Sequence, residues 1–361
     1  MISTLTIEGF RCFERLEMGG LGRVNLIVGK NNSGKTSLLE ALYLLAMRGK
    51  ASAFGMVLQR RGEILPIDSE LGEVGQGVEY DVRPLFTGHR FGLGTHFEVT
   101  AANSHGSNVI GVTVGKDAQI VPDQTKTTRF VQFFALLVNA GGPNEVIPLG
   151  YRDGLPADSV RPRLITSQDE GAPQVRFLGP YEAGRQLIEM WDGVALTDDE
   201  AIVGDALRVL DPTIERIAPQ VASSHQFGST RGGFLVKKSG NTQRLSIGSF
   251  GDGIWRLLAL SVFLTQAKGG LLLVDEIDLG LHYKAMTSMW KLVLRIAKEA
   301  DVQVFATTHS RDCVQSLADV LDAGETPGSV SLQRLEAGKQ KAITFTETQI
   351  RLLADDWVET R

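Results

Sequence analysis

A single stretch decides the fold of this chain: Val24-Asn25-Leu26-Ile27-Val28-Gly29-Lys30-Asn31-Asn32-Ser33-Gly34-Lys35-Thr36. It reads as an apolar strand that runs into the phosphate-loop pattern G-x-x-x-x-G-K-T, and an apolar helix follows from Ser37 to Met47. This order of strand, loop and helix surrounds a phosphate with backbone N–H groups and a positive helix end. We therefore expect a nucleotide site in an α/β fold.

The phosphate-loop pattern gives each position a role. Lys35 would reach the outer phosphates of ATP and assist catalysis, and Thr36 would ligate Mg²⁺. An ordinary glycine-rich turn is the alternative, and the flanking strand and helix argue against it. The candidate nucleotide contacts of the loop are Gly29, Asn31, Asn32, Ser33, Gly34, Lys35, Thr36 and Ser37.

Two later strands end in side chains that suit phosphate chemistry. Leu271 to Val274 is followed by Asp275 and Glu276, which is typical of a Walker B element. Asp275 would hold Mg²⁺, and Glu276 would polarise the attacking water. His309 follows the next strand, where it could hydrogen-bond the γ-phosphate. Each would alone be an ordinary strand end, but together with the phosphate loop they predict a catalytic centre.

A fourth element is the small-residue loop from Leu245 to Gly253, which precedes an apolar helix. Its N–H groups and the Ser249 hydroxyl form a second anion site at a helix N-terminus. Within one copy of the chain this loop would have no phosphate to bind. We therefore expect a C2 dimer, in which Ser249 and Gly251 close over the ATP of the other copy. A glycine-rich helix cap without a ligand is the alternative.

The middle of the chain differs in texture from both ends. It is β-rich from about 75 to 138 with a hairpin turn at 103–108, and loop-rich from 141 to 173 with a short strand near 163–166. Two helices between 183 and 217, the second with a capping box from Thr197 to Glu200, precede a hairpin at 232–244. We expect one domain over 1–361, with a core from 1–50 and 240–361, a β-rich and loop insertion over 51–175, and a helical lobe over 176–239.

Composition narrows the class of protein. With 361 residues, 43% hydrophobic content and a net charge of -5, the chain should be globular without an overall basic surface, so DNA contact would need a local patch or a partner. Cys12 and Cys313 match no zinc spacing, which favours reduced thiols. No leader and no membrane-length apolar stretch occur, so we expect a cytoplasmic protein that does not span a membrane.

These elements, in this order, resemble the ABC-type P-loop ATPases of the OLD, RecF and SMC group, and most closely the OLD-like AAA family ATPases of prokaryotes. The resemblance covers most of the chain and is weakest from about 115 to 173. It implies an α/β ABC-ATPase head, with a P-loop core sheet, an antiparallel β subdomain and an inserted helical signature lobe. The likeness is carried by the ranges 7–13, 25–41, 191–197, 251–258, 274–282 and 306–313.

The resemblance also implies roles for single residues. Ser249 and Gly251 become signature residues that act in trans, although the loop reads Gly-Ser-Phe-Gly-Asp where the family usually has Leu-Ser-Gly-Gly-Gln. The stretch 280–282 becomes the D-loop, which crosses the dimer interface. Arg11 becomes a nucleotide contact near the ribose or α-phosphate, with a solvent-facing or core-edge arginine as the alternative. The glutamine that ligates Mg²⁺ has no clear counterpart, and Glu182 is the candidate metal ligand.

For the biological role the resemblance gives an ATPase subunit that hydrolyses ATP with Mg²⁺ as a head-to-head homodimer. The chain ends at Arg361, soon after His309, so we expect no Toprim nuclease and instead a separate effector, a nuclease or toxin, in defence against phage or plasmid DNA. One alternative is a RecF-like DNA repair ATPase, which the acidic charge opposes. Another is an ATP-gated sensor or scaffold with negligible turnover.

Overall fold

The computed structural model describes residues 1–66, 77–122, 128–160, 174–180, 183–220, 233–324 and 330–355. These ranges contain two six-stranded sheets, one three-stranded sheet and one two-stranded pair, together with helices. The predicted α/β class is therefore confirmed.

The strands, in chain order, are β1 Thr4–Phe10, β2 Phe13–Met18, β3 Val24–Gly29, β4 Glu79–Tyr80, β5 His96–Asn103, β6 Gly106–Pro122, β7 Thr128–Asn139, β8 Glu145–Pro148, β9 Leu155–Pro156, β10 Val175–Leu178, β11 Ile214–Pro219, β12 Phe234–Lys238, β13 Arg244–Ser246, β14 Leu271–Val274, β15 Gln303–Thr307, β16 Val330–Leu335 and β17 Ile343–Thr346. The helices are α1 Lys35–Ala46, α2 Ala51–Arg60, α3 Ala183–Trp191, α4 Asp198–Arg208, α5 Asp252–Thr265, α6 Tyr283–Glu299, α7 Arg311–Asp322 and α8 Glu347–Asp355.

The first large sheet carries the phosphate loop. Its order is β10-β14-β15-β3-β16-β17, and all neighbours pair in parallel except β17. Every residue of β3 is buried, as expected for a parallel strand covered on both faces. Because β3, β14 and β15 run in the same direction, the loops that follow them meet at one edge of the sheet.

Helices cover both faces of this sheet. Leu26 packs into a core shared with α5, α6 and α7, whereas its neighbour Ile27 packs into a second core with α1. That second core continues into the other large sheet, of order β2-β1-β5-β6-β7-β8. Helix α1 therefore lies between the two large sheets, with the phosphate loop at its N-terminal end.

The helical lobe is built from α3, α4 and the sheet β11-β12-β13. The rings of Trp191, Phe234 and Trp255 join it to α5, with centroid separations of 5.4 Å and 6.3 Å along that series. A short 3₁₀ turn, Ile247–Phe250, then leads into α5. Residues 247–251 are called the signature loop below.

Most predicted elements form where the sequence indicated. The hairpin of β5 and β6, the two lobe helices, the hairpin of β12 and β13 and the α/β succession from α5 to α7 are confirmed. The predicted strand near 163–166 lies outside the described residues. Helix α2 was not predicted, and it occupies the start of the range assigned to a β-rich and loop insertion.

Two details of the helical lobe differ from prediction. The capping box at the start of α4 is wrong: the Thr197 hydroxyl donates to the Val194 carbonyl, and the Glu200 carboxylate accepts from the Leu196 N–H. Strand β10, most of which falls within the range given to the lobe, pairs with β14 at the edge of the core sheet. Conversely, β1 and β2, from the range given to the core, belong to the antiparallel sheet.

Candidate functional site

The phosphate loop is held in place by a close approach of β2. Gly34, the N-cap of α1, has φ 94°, a conformation that favours glycine. A Cβ at Gly34 would collide with the ring of Phe13 and would lie 2.8 Å from the Cys12 Sγ. The loop can therefore lie this close to Phe13 and Cys12 only because Gly34 lacks a side chain.

The polar side chains of the loop fit an anion. The Lys35 ammonium donates to the carbonyls of Gly29 and Lys30 at 2.8 and 3.0 Å, so it lies across the loop. Burial lowers the pKa of Lys35, against the opposing effect of the carboxylates of Asp275 and Glu276. The Ser33 hydroxyl is buried and has no hydrogen-bond partner among the described residues. An unpartnered buried hydroxyl is costly, and a phosphate oxygen would supply its partner.

A chain of hydrogen bonds joins the three strand ends. The Thr36 hydroxyl donates to one oxygen of Asp275 at 2.9 Å, and the Thr307 hydroxyl donates to the other at 2.5 Å. Asp275 is 8% exposed and Thr307 is fully buried. The carboxylate is thus fixed beside the hydroxyl of Thr36.

This pair suits Mg²⁺, which is commonly held by one or two carboxylates together with substrate phosphates. Among the described residues, no three His, Cys, Asp or Glu side chains form a self-sufficient metal cluster. Asp275 and Thr36 could hold Mg²⁺ together with the phosphates of a nucleotide. The other predicted ligand, Glu182, lies outside the described residues.

Glu276 has a strained backbone. Its φ is 50°, a left-handed value that is rare for a residue with a side chain. The Glu276 N–H donates to the Thr307 hydroxyl at 2.9 Å, and its carboxylate lies 4.0 Å from the Nδ1 of His309. His309 is 58% exposed. The structure thus brings the predicted base and the predicted γ-phosphate contact side by side at the mouth of the site.

Arg256 maintains this strained turn, and no role for it was predicted. It is buried on α5, and its guanidinium donates to the carbonyls of Asp275 at 2.8 Å and Glu276 at 2.6 Å. It also donates to the carbonyl of Gly179 at 3.0 Å, just after β10. Burial lowers the pKa of Arg256 to about 10. The signal was present in the sequence, because Arg256 is the only charged residue inside an otherwise apolar helix after its first turn.

The residues just before the D-loop are also joined to the loop of His309. Thr308 donates to the Asp278 carboxylate at 2.6 Å and accepts from the Ser310 N–H at 2.9 Å. Gly280, with φ 75°, lets the D-loop approach the start of α5, since a Cβ there would lie 2.7 Å from the Cβ of Asp252. The stretch 278–282 therefore lies against both the start of α5 and the His309 loop within one copy of the chain.

The signature loop contrasts with these tightly bonded parts. Ser249 and Gly251 are exposed, and within the described ranges the Ser249 hydroxyl makes no hydrogen bond. Gly251 has φ 83°, and a Cβ there would meet no atom of the described residues within 4 Å. The backbone is strained but the space around it is open.

Arg11 lies in a buried ionic cluster beside α1. Its guanidinium contacts Glu40 at 2.5 Å and Glu63 at 2.8 Å, and its side chain is 5% exposed. Arg61 also contacts Glu40, at 2.7 Å, and donates to the Ser37 hydroxyl at 3.1 Å. This arrangement favours the core-edge alternative for Arg11. The hydroxyl of Ser37, a predicted nucleotide contact, likewise accepts a hydrogen bond from Arg61 of the same cluster.

Comparisons with known proteins cover most of this chain. The family model described as "AAA domain, putative AbiEii toxin, Type IV TA system" matches residues 24–312. The chain is 23% identical over 367 residues to an "ATP/GTP phosphatase" of Helicobacter pylori (strain ATCC 700392 / 26695), covering 96% of this chain and 95% of that protein. It is 36% identical over 73 residues to the "DNA replication and repair protein RecF" of Bacillus cereus (strain G9842), covering 20% and 18%.

Among solved structures, the SMC head domain from Thermotoga maritima aligns with a TM-score of 0.44 and 12% identity, over 96% of this chain and 98% of that one. Separately, none of the helices in the described part of the chain is long and apolar enough to cross a membrane.

Proposed function

Because the chain belongs to the AAA-domain family whose model spans residues 24–312, we propose that two copies hydrolyse ATP together, each closing the nucleotide site of the other. Family membership and the full-length relative named a phosphatase of ATP and GTP confirm the predicted resemblance and the predicted ATPase activity.

The observation that carries the proposal is the unequal state of the two anion sites. The phosphate loop, Asp275 and Glu276 are positioned by bonds within one copy, whereas Ser249 is exposed and unpartnered within the described ranges. A serine hydroxyl and helix N–H groups at an exposed helix start would bind a phosphate presented from outside. A second copy related by a two-fold axis would present one.

In this mechanism each side chain has a separate task. Lys35 and the loop N–H groups hold the β- and γ-phosphates, and Thr36 and Asp275 hold Mg²⁺, which neutralises phosphate charge when bound. Glu276 orients the attacking water, and His309 contacts the γ-phosphate. Ser249 and Gly251 of the other copy complete the shell and exclude water.

The test mixes two inactive variants. Glu276→Gln removes the base of its own site, and Ser249→Arg blocks the site of the partner. If the signature loop acts in trans, a dimer of one copy of each variant contains one intact site. An equal mixture should then recover about a quarter of the wild-type turnover, since half of the dimers are mixed and each has one of two sites working.

The opposite outcome is equally clear. If both elements act within one copy, every site in the mixture is defective and turnover stays at the level of the separate variants. Ser107→Arg, at an exposed position in the turn region of the antiparallel sheet, is the matched control and should retain full turnover alone. Chelation of Mg²⁺ should stop turnover in all samples.

We further propose that this ATPase works in the cytoplasm with a separate effector, a nuclease or toxin, in defence against phage or plasmid DNA. The family description, which names a toxin and a toxin–antitoxin system, supports this role. Cells that carry the chain with its neighbouring genes should resist phage, and Glu276→Gln should remove that resistance. Equal plaque numbers with the wild-type and variant chains would refute the role.

A RecF-like repair ATPase that binds DNA is the second candidate, because a 73-residue stretch is 36% identical to a protein of that name. ATP-strengthened, salt-sensitive binding to duplex DNA would support it.

A further inference from the structure

Helix α6 carries a row of cations on its exposed side. Lys284, Lys291, Arg295 and Lys298 lie at positions i, i+7, i+11 and i+14, and all four side chains are exposed. At 1.5 Å per residue the row is about 21 Å long and stays within one narrow face of the helix. The only carboxylate of α6 is Glu299, in its last position. In a chain with a net charge of -5, such a row is a local departure from the composition.

An open groove runs beside this row. Its volume is about 540 Å³, within the usual range for small-ligand and side-chain clefts. The α6 wall contributes Ser288, Lys291, Leu292 and Arg295, and the wall from the end of α4 contributes Asp205, Ala206 and Val209. Val209 is 48% exposed, which is high for a valine that neighbours a core residue such as Leu292. The groove thus has an apolar part and one strongly basic wall.

We propose that this groove, called the α4–α6 groove, binds an acidic segment of a partner protein that inserts an apolar side chain beside Val209. The inference rests on the proposed function in one respect, since the effector would supply that segment. Opposite charge on the partner would match Lys291, Arg295 and Lys298, and an apolar side chain would cover Val209 and Ala206.

A polypeptide fits this surface better than a nucleic acid does. Phosphates would use the cations but would leave the apolar part of the groove uncovered. The basic row also lies on a single helix rather than around a channel.

The position of the groove gives the contact a consequence. Helix α6 begins directly after the D-loop, and α4 packs against α5, which begins at the signature loop. A segment bound between α4 and α6 would therefore bridge the two elements that reach toward a second copy.

The test uses peptides as probes of the wild-type chain. The first is a helix-forming peptide of about 18 residues, with leucine on one face, glutamate elsewhere and a net charge of roughly -6. The second has the same charge but glutamine in place of leucine. The third probe is a duplex DNA of about 18 base pairs. Binding is measured by fluorescence anisotropy at physiological salt.

The groove should bind the leucine peptide at least about tenfold more tightly than the glutamine peptide, and more tightly than the DNA. Lys291→Glu and Arg295→Glu should each weaken binding of the leucine peptide by about tenfold or more. Lys268→Glu makes the same charge change at an exposed site just beyond α5 and should have little effect. The ATPase rates of these variants should match the wild type, which shows that they fold.

Equal binding of the three probes, tighter binding of DNA, no measurable binding of the leucine peptide, or no effect of Arg295→Glu would each overturn the proposal. Because the assay measures peptide binding by the isolated chain and not turnover, failure of the shared-site mechanism would leave its result unchanged.

Discussion

The phosphate loop and the signature loop are both glycine-containing turns at the start of a helix, but they differ in how the rest of the chain treats them. The phosphate loop is packed tightly by the rest of the chain. Phe13 and Cys12 lie against Gly34, and the Thr36 hydroxyl donates a hydrogen bond to Asp275. Around the signature loop, Gly251 has open space and Ser249 is exposed. Packing within one copy therefore explains why position 34 is a glycine. Packing among the described residues does not explain the glycine at position 251.

Alanine at these two glycines should separate the regions most strongly. Gly34→Ala should reduce ATP binding by about a hundredfold or more, because the new Cβ meets Phe13 and the loop must shift out of its phosphate-binding shape. Gly251→Ala meets no atom, so it should preserve ATP binding to the isolated chain. If the loop acts in trans, this variant should still lose most of its turnover. Nucleotide titration and steady-state hydrolysis measure the two effects.

Gly269 provides the matched control for Gly251, because it also has a positive φ and a Cβ there would meet nothing within 4 Å. Gly269→Ala should cost about 1 kcal/mol of stability through backbone strain and leave turnover unchanged. If Gly251→Ala behaves in the same way, the signature loop has no catalytic role and the comparison fails.

The difference between the regions also explains what the sequence could predict. The segments that follow β3, β14 and β15 carry Lys35, Asp275 and His309. Their positions were predicted from local patterns, because apolar runs and glycine spacing are encoded within a few neighbouring residues. By contrast, β1 and β2 belong to the antiparallel sheet and β10 belongs to the core sheet. These placements depend on strand pairings between residues distant in sequence, which no local pattern reveals. Arg256 was missed for the same reason, since its partners lie about twenty or more residues away.

Arg256 gives a second test, with a smaller expected effect. It lies on α5, which follows the signature loop, and it bonds to the turn at Asp275 and Glu276. Arg256→Met removes the donors to the carbonyls of Asp275 and Glu276, so the left-handed turn at Glu276 should relax. Turnover should fall roughly tenfold to a hundredfold through displacement of the carboxylate. The free energy of unfolding should fall by about 1–3 kcal/mol. ATP affinity, which depends mainly on the phosphate loop, should change little.

Arg256→Lys keeps the charge and at least one donor, and it should recover part of the lost turnover if Arg256 positions the turn. Lys268→Met, at the exposed site beyond the same helix, is the control and should match the wild type in both measurements. Equal losses of affinity and turnover in Arg256→Met would instead indicate general damage to the fold, with no specific link between α5 and Glu276.

The smallest effect concerns how the signature loop is held. Hydrogen bonds from Lys238 and Thr213 lower the pKa of Asp211 to about 2 from 3.8, and Lys238 lies over the ring of Phe250 at 5.5 Å. Unfolding restores the ordinary pKa, so this stabilisation is present above about pH 4 and is lost as the pH falls to about 2. Asp211→Asn should therefore lower stability by less than about 1 kcal/mol at neutral pH, because the pair is near the surface. The deficit should disappear in denaturant titrations repeated at successively lower pH.

If the deficit persists at the lowest pH, its cause is not the ion pair, and Lys238 does not connect Asp211 to the signature loop. Lys238→Met should show the same deficit, and the double variant should lose no more than either single one.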